Sequence, residues 1–227
     1  MAQRPPQPAA KPALIVVADD YGYVPAYDEG ILEAARAGAI DAVSVMALRE
    51  PDPEALLESG VEVGLHLEPP NSTPLDQQLR RFEGLFGRHP SHIDGHHHCH
   101  AARGRPALAV ARAGQSLGAR VRSISPRHRR LLRWFGVTTP DRLVGRLDER
   151  RPALPIEISR LLEGQVPPGL TEWMVHPGRP DPASGSSYDR GRAEDLDLLL
   201  SLGDRTAWQA RGVVRAGPCK PLGSARR

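Results

Sequence analysis

The segment from His92 to His100, HIDGHHHCH, holds five of the nine histidines of the chain. With the two-residue period of a β-strand, His92, Asp94, His96, His98 and His100 lie on one face. Imidazole is a common metal ligand, and carboxylates complete hard or borderline sites. Alternate strand residues are roughly 6–7 Å apart, so one ion can take one or two of them, and the others would orient these ligands or act on substrate. The alternative is a solvated histidine-rich turn.

Three other apolar segments end in residues of the same chemical types. Residues 13–18 are a continuous apolar run that leads into Asp19 and Asp20, while residues 62–67 and 171–176 end at or near His66 and His176. Two adjacent acids at the end of a buried strand are costly to desolvate unless they bind or catalyse something. An Asp turn before Gly22, and a core histidine at position 66, are the alternative interpretations.

Predicted strands and helices alternate along the whole chain. The predicted strands are 13–18, 42–47, 62–67, 92–100, 120–124 and 171–176, with 213–214 as a candidate for the last one. The predicted helices are 25–37, 53–58, 75–86, 105–117, 154–163 and 191–202. This order indicates a parallel sheet, either a (β/α) barrel or an open α/β sheet. In both, the carboxyl ends of the strands carry the active site, so we expect the singled-out acids and histidines to converge at one rim.

Length and composition describe an ordinary globular protein. The 227 residues, 40% hydrophobic, predict one domain over residues 13–214, with a flexible arm (1–12) and a frayed tail (215–227). Only two cysteines are present, Cys99 and Cys219, in no framework spacing, which predicts a reduced, cytoplasmic protein. No segment approaches the roughly 18 apolar residues of a membrane span, so no membrane partner is expected.

The charge pattern permits an anionic partner without requiring one. The net charge is +3, and arginines cluster between Arg127 and Arg133. Aromatic residues make up only 4% of the chain, so platforms on which bases could stack are scarce. We therefore interpret the arginine cluster as a solvated or dimer-edge helix face and expect no nucleic acid.

The set of side chains suits metal-assisted hydrolysis of an amide or ester. A catalytic ion needs about three protein ligands and an open position, and it polarises a carbonyl and activates water. With two adjacent aspartates, one can ligate while the other accepts a proton, and His176 can protonate the leaving group. The chain has no GxSxG, P-loop or GxGxxG sequence, which argues against serine hydrolases and nucleotide-binding enzymes.

Four motifs, VVADDYG, VGLHLE, HIDGHHHCH and EWMVHPG, occur in this order. They resemble the YdjC-type carbohydrate deacetylases, which include chito-oligosaccharide and hopanoid-biosynthesis deacetylases, and the resemblance covers residues 14–202. It implies a distorted TIM-like (β/α) barrel and one divalent metal ion per chain, Mg²⁺ or Zn²⁺. It also implies removal of acetyl groups from N-acetylated sugars, commonly within homodimers.

The resemblance also implies roles for individual residues. Asp20, His66 and His96 would bind the metal ion, Asp19 would be the general base and His176 the general acid. Five others would line the site or contact substrate: Tyr21, Asp94, His98, His100 and Glu172.

The sequence also departs from the family pattern. The interval from His66 to His92 is shorter than in the chito-oligosaccharide enzymes, which favours small sugars over long chains, and Gly95 stands where serine is frequent. The alternatives are a hydrolase of another acylated small molecule or phosphoester, a non-catalytic metal-binding protein, or a nucleic-acid-binding module. The paired acids favour an enzyme, because metal storage needs no free base.

Overall fold

A computed structural model describes residues 11–69, 73–145 and 156–216. These residues form one sheet of seven parallel strands. The strands are β1 (Ala13–Tyr21), β2 (Ala42–Val45), β3 (Glu62–Leu67), β4 (His92–Gly95), β5 (Arg120–Val121), β6 (Arg142–Gly145) and β7 (Leu170–Val175). Their order across the sheet is β5-β4-β3-β2-β1-β7-β6. Nearly all of the predicted arm and tail lies outside the described residues.

Helices connect the strands, so the chain is a (β/α) half-barrel, as expected for a distorted TIM-like barrel. The helices are α1 (Pro25–Arg36), α2 (Pro53–Glu58), α3 (Leu75–Phe86), α4 (Arg105–Leu117), α5 (Pro126–Trp134), α6 (Ile156–Leu162), α7 (Asp189–Leu202) and α8 (Arg205–Ala210). The local sequence determines where several helices begin. Asp52 accepts hydrogen bonds from the first turn of α2, and Ser125 caps the N-terminus of α5. None of the described helices is both long and apolar enough to cross a membrane.

The first strand, β1, is the centre of the sheet. It pairs with β2 on one side and β7 on the other, and every residue from Leu14 to Tyr21 is buried. A strand covered on both faces needs the continuous apolar sequence seen here. The two acids that follow this run are therefore carried into the interior of the protein.

The sheet edge at β5 is covered by irregular chain. Val121 N donates to Thr138 O at 3.0 Å, and Ser123 Oγ donates to Pro140 O at 2.9 Å. One residue later, Asp141 N donates to Leu170 O at 2.8 Å, at the start of β7. Residues 138–141 therefore run from β5 to the start of β7, beside the opposite edge strand β6, which is where the barrel departs from a regular one.

Several predicted elements were wrong or missing. The predicted strand 92–100 ends at Gly95, and His96–Ala101 is a 3-10 turn, so the strand alternation does not extend through the histidines. Strand β6 and helix α8 had no prediction, because one is a half-exposed four-residue edge strand and the other a six-residue helix. Instead of a strand at 213–214, Arg215 makes an isolated bridge with Leu14.

Candidate active site

The carboxyl ends of β1, β3, β4 and β7 meet around a cavity of about 380 Å³. Six of the ten predicted site residues line it: Asp19, Asp20, His66, His96, His98 and His176. The expected convergence at one rim is therefore observed. Tyr23, which the sequence analysis did not select, lines the cavity as well.

Asp20, His66 and His96 bring their polar atoms together. Asp20 Oδ1 lies 3.1 Å from His66 Nε2 and 2.9 Å from His96 Nδ1. One ligand atom from each of the three residues lies within 4.8 Å of the other two. Two imidazole nitrogens and one carboxylate oxygen form a donor set suited to a divalent catalytic ion, so the residues fit the predicted metal.

The backbone at Asp20 lets both aspartates reach the cavity. Asp20 has a φ of 73°, and the register of β1 against β2 shifts between Ala18 and Tyr21. In a regular strand, Asp19 and Asp20 would point to opposite faces. The irregularity that brings both carboxylates to the cavity lies at Asp20 itself. Aspartate is among the few non-glycine residues that adopt left-handed backbone readily.

The histidine turn separates side chains that a strand would have aligned. His97 and His98 have φ values of 50° and 58°, so the chain reverses direction and both line the cavity. His100 is buried behind the turn, where its Nε2 donates to Arg122 O at 3.1 Å. A Cβ on Gly95 would lie 2.8 Å from Cys99 Sγ, which explains why glycine stands here.

Arg122, which follows β5, contacts three buried carboxylates beneath the cavity, and the sequence analysis missed it. It is 2% exposed, and it donates to both oxygens of Asp19, at 2.6 and 2.7 Å, and to Glu172. Its Nη2 lies 2.7 Å from Asp94 Oδ2. In the nearby sequence, only its apolar neighbour Val121 suggested that Arg122 is buried. The three carboxylates that it contacts come from distant strands.

Asp94 and Glu172 lie behind the cavity wall and not in its lining. His66 Nδ1 donates to Asp94 Oδ1 at 2.7 Å, which directs His66 Nε2 towards the cavity. Glu172 is buried against Arg122. Tyr21 is also away from the cavity, because its ring is in the core and its hydroxyl donates to Asp52 O at 2.9 Å. The structure thus gives these three side chains, and His100, protein partners where substrate contacts were predicted.

Arg192 on α7 contacts the other oxygen of Asp20. Its Nη2 lies 2.6 Å from Asp20 Oδ2, and the guanidinium stacks 3.9 Å from the centre of the Tyr27 ring. With Oδ2 occupied in this way, Oδ1 is the oxygen that faces His66 and His96. No sequence pattern indicates this contact, since Arg192 lies 172 positions after Asp20.

Burial and neighbouring charges shift the pKa values at this rim. Burial would raise the pKa of Asp20, but hydrogen bonds from His66 and His96 hold it well below its usual range. Burial would lower the pKa of His66, but Asp94 and Asp19 raise it to about 10. Burial lowers the pKa of His176 to about 4, and its Nδ1 has no hydrogen-bond partner among the described residues.

Comparison with known proteins gives matches over most of the chain. The family model for YdjC-like proteins matches residues 13–69 and 72–210. A carbohydrate deacetylase of Mus musculus is 30% identical over 151 residues, which cover 47% of this chain and 48% of that protein. The chitooligosaccharide deacetylase of Enterobacter sp. (strain 638) is 30% identical over 242 residues, which cover 88% of this chain and 95% of that protein. The match therefore spans about half the length of the mouse relative.

Solved structures show the same fold. A protein of Enterococcus faecalis V583, proposed to cleave cellobiose phosphate, superposes with a TM-score of 0.74 at 24% identity, covering 92% of this chain and 98% of that one. The Bc1960 peptidoglycan N-acetylglucosamine deacetylase superposes with a TM-score of 0.51 at 13% identity, covering 93% and 88%. At these identities the similarity concerns the fold alone.

Proposed function

The chain belongs to the family of YdjC-like proteins, and we propose that it is a metal-dependent hydrolase that removes acetyl groups from N-acetylated carbohydrates. Its relatives named carbohydrate deacetylase and chitooligosaccharide deacetylase support this substrate class. One observation carries the proposal. The ligand atoms of Asp20, His66 and His96 lie within 4.8 Å of one another in a cavity that also contains Asp19 and His176.

Asp20, His66 and His96 would hold one divalent ion per chain, Zn²⁺ or Mg²⁺. Such an ion supplies a Lewis acid that polarises the acetyl carbonyl and makes water more acidic. The chain's own contribution is to hold these ligands in place. Asp94 orients the ring of His66, and Arg192 fixes the carboxylate of Asp20.

Asp19 would act as the general base. Its carboxylate lines the cavity, and both of its oxygens accept hydrogen bonds from Arg122, which keeps the group in one orientation. As water attacks the acetyl carbon, Asp19 would take a proton from it. Orientation by a buried guanidinium suits this task, because the base must stay within hydrogen-bond reach of the water.

His176 would act as the general acid when the C–N bond breaks. Its ring lines the cavity, and Nδ1 has no partner among the described residues. Burial lowers the pKa of His176 to about 4, so the ring is neutral at pH 7, and the proton that it passes to the departing amine would come from the attacking water by way of Asp19. The products would be acetate and the free amino sugar.

We also propose that the protein forms homodimers and that the arginines of α5 serve its own structure or a dimer edge. Arg129 and Arg133 both donate to Asp141, so two of these charges are already engaged. Trp134, at the end of the same helix, is 79% exposed, as expected of a residue that packs against a partner subunit.

The decisive test is acetate release from N-acetylglucosamine and its short oligomers by the purified protein. We expect release that stops on treatment with a chelator and returns when Zn²⁺ or Mg²⁺ is added. The His89→Ala variant is a matched control, because His89 is an exposed histidine paired with Glu83 outside the cavity. A folded, ion-loaded protein that releases no acetate from any of these sugars would refute the proposal.

A further inference from the structure

Two layers of side chains fill the barrel interior beneath the rim. The strand register pairs His66 with Asp94, and it pairs Ser44 with Gly64. His92 precedes Asp94 by two residues on β4, so it lies at the level of Gly64. The upper layer therefore contains His66 and Asp94, and the lower layer contains Ser44, Gly64 and His92, in the layered manner of barrel interiors.

A hydroxyl group joins the lower layer to the upper one. Ser44 Oγ lies 2.7 Å from Asp94 Oδ2 and 2.9 Å from His92 Nε2. All three residues are buried, although Ser44 and His92 belong to strands that are not adjacent in the sheet. They meet because the residue between them is glycine: a Cβ on Gly64 would lie 2.4 Å from three atoms of the His92 ring.

The available protons fix the direction of these hydrogen bonds. Asp94 Oδ2 accepts from the guanidinium of Arg122, and Ser44 Oγ donates to the same oxygen. Ser44 therefore gives its one proton to Asp94 and must accept from His92 Nε2. Burial lowers the pKa of His92 to about 3, so the neutral ring carries its proton on Nε2. Nδ1 is left as the acceptor, 2.9 Å from Ser91 Oγ, which divides its one proton between this nitrogen and Val63 O at 3.0 Å.

We propose that Ser44 and His92 are positioning residues that hold the Asp94 carboxylate so that it accepts the Nδ1 proton of His66 and leaves Nε2 for the divalent ion. Arg122 also contacts Asp94 Oδ2, but it divides its donors among Asp19, Glu172 and Asp94. The hydroxyl of Ser44 therefore shares with Arg122 in setting the rotation of this carboxylate. This inference rests on the proposed metal site. It also explains why Gly64 and His92 occur in the two sequence motifs that contain the ligands His66 and His96.

A matched set of variants tests this proposal. His92→Leu removes the donor to Ser44, while His92→Gln retains a terminal N–H that can replace Nε2. Ser44→Ala removes one hydroxyl and little volume. His128→Leu is the control, since His128 is a buried histidine whose ring nitrogens have no hydrogen-bond partner among the described residues.

Two measurements are made without any sugar. Calorimetry gives the Zn²⁺ dissociation constant, and NMR of the Zn²⁺-loaded protein detects the Nδ1 proton of His66. We expect the dissociation constant to rise about 10–100-fold in His92→Leu and Ser44→Ala, as for other residues that orient metal ligands, with loss of the sharp Nδ1 signal. We expect His92→Gln and His128→Leu to retain the wild-type values.

The outcomes separate this inference from the proposed function. If Ser44→Ala and every folded His92 variant keep the wild-type constant and the Nδ1 signal, the positioning role is wrong, while the metal site stands. If the wild-type protein binds no divalent ion, both proposals are wrong. If His92→Leu does not fold, the comparison of Ser44→Ala with His128→Leu decides whether the positioning role is correct.

Discussion

Arg122 holds the carboxylate of Asp19 with two nearly parallel hydrogen bonds, from Nη1 to Oδ2 at 2.6 Å and from Nη2 to Oδ1 at 2.7 Å. The same guanidinium contacts Asp94 and Glu172, so its single positive charge lies against three buried carboxylates. Since these acids come from β1, β4 and β7, one residue after β5 ties four strands together behind the cavity. The proposed base is therefore oriented by the architecture of the whole sheet.

Replacing Arg122 with lysine should separate the effect of its positive charge from the effect of its planar guanidinium geometry. Lysine keeps the positive charge but cannot form the paired hydrogen bonds of a guanidinium. We expect Arg122→Lys to lower turnover about 10²-fold or more, because the general base loses its orientation, and to reduce the free energy of unfolding. Turnover assays and urea unfolding measure both. Arg120→Lys is the control on the same strand, where the pair with Glu62 is longer at 3.3 Å, and equal effects at both positions would contradict the argument.

Asp19→Asn and His176→Ala should lower turnover and leave the ion bound. Losing a general base or a general acid commonly reduces the rate about 10²–10⁴-fold. Elemental analysis gives the metal content, and circular dichroism confirms folding. A variant that loses its ion identifies its residue as a ligand, whereas full turnover in either variant would exclude the proposed acid or base role.

His66→Ala and His96→Ala should weaken metal binding directly. Each removes one ligand atom, so the loss in affinity should exceed the about 10–100-fold typical of residues that only orient ligands. Titration with Zn²⁺ and Mg²⁺ measures it, with His89→Ala as the exposed control. Undiminished affinity in both cavity variants would rule out this ligand set.

His100 should make the protein sensitive to acid. Burial lowers the pKa of His100 to about 3, whereas an unfolded histidine has a pKa near 6.5. Between these values the unfolded chain binds more protons, so stability is full above pH 6.5 and declines towards pH 3, by about 1.4 kcal/mol per pH unit for this group.

The His100→Gln variant isolates this contribution. Urea unfolding at pH 7 and pH 5 should show a smaller loss of stability in the variant than in the wild type. Burial raises the pKa of Asp28 to about 7, which opposes the trend, but Asp28 is present in both proteins and cancels in the comparison. Parallel pH profiles would show that His100 does not stay neutral in the folded protein.

Small N-acetylated sugars should be better substrates than long chitin chains. The chain between His66 and His92 is short, and α3 takes up twelve of its residues, so little remains to build extended subsites. We expect catalytic efficiency to decrease from mono- to di- to longer N-acetylglucosamine oligomers. A steep rise with chain length would contradict this expectation.

The sequence predicted those parts of the site that depend on local pattern. Asp19, Asp20, His66 and His176 follow apolar runs, and parallel strands bring such ends to one rim. Regular alternation failed after Gly95, because His97 and His98 adopt left-handed backbone and change the direction of the chain. A period of two contains no information about such a turn.

The buried arginines could not be predicted in the same way. Arg122 and Arg192 are charged residues whose partners lie 103 and 172 positions away, at Asp19 and Asp20. Only the assembled sheet reveals that acidic side chains surround them. Gly64 is a similar case. The reason that it lacks a side chain becomes evident only in the folded protein, where the ring of His92 occupies the space that a Cβ would need.

The left-handed backbone of Asp20 restricts which residues can replace it. A φ of 73° suits glycine, asparagine and aspartate, and of these only aspartate carries a carboxylate. Exchange for glutamate, normally regarded as conservative, would here strain the main chain and also lengthen the side chain by a methylene group. Backbone conformation and ligand chemistry thus select the same amino acid independently. An engineer seeking to change the metal preference of this rim would have more freedom at His96, where φ is not left-handed.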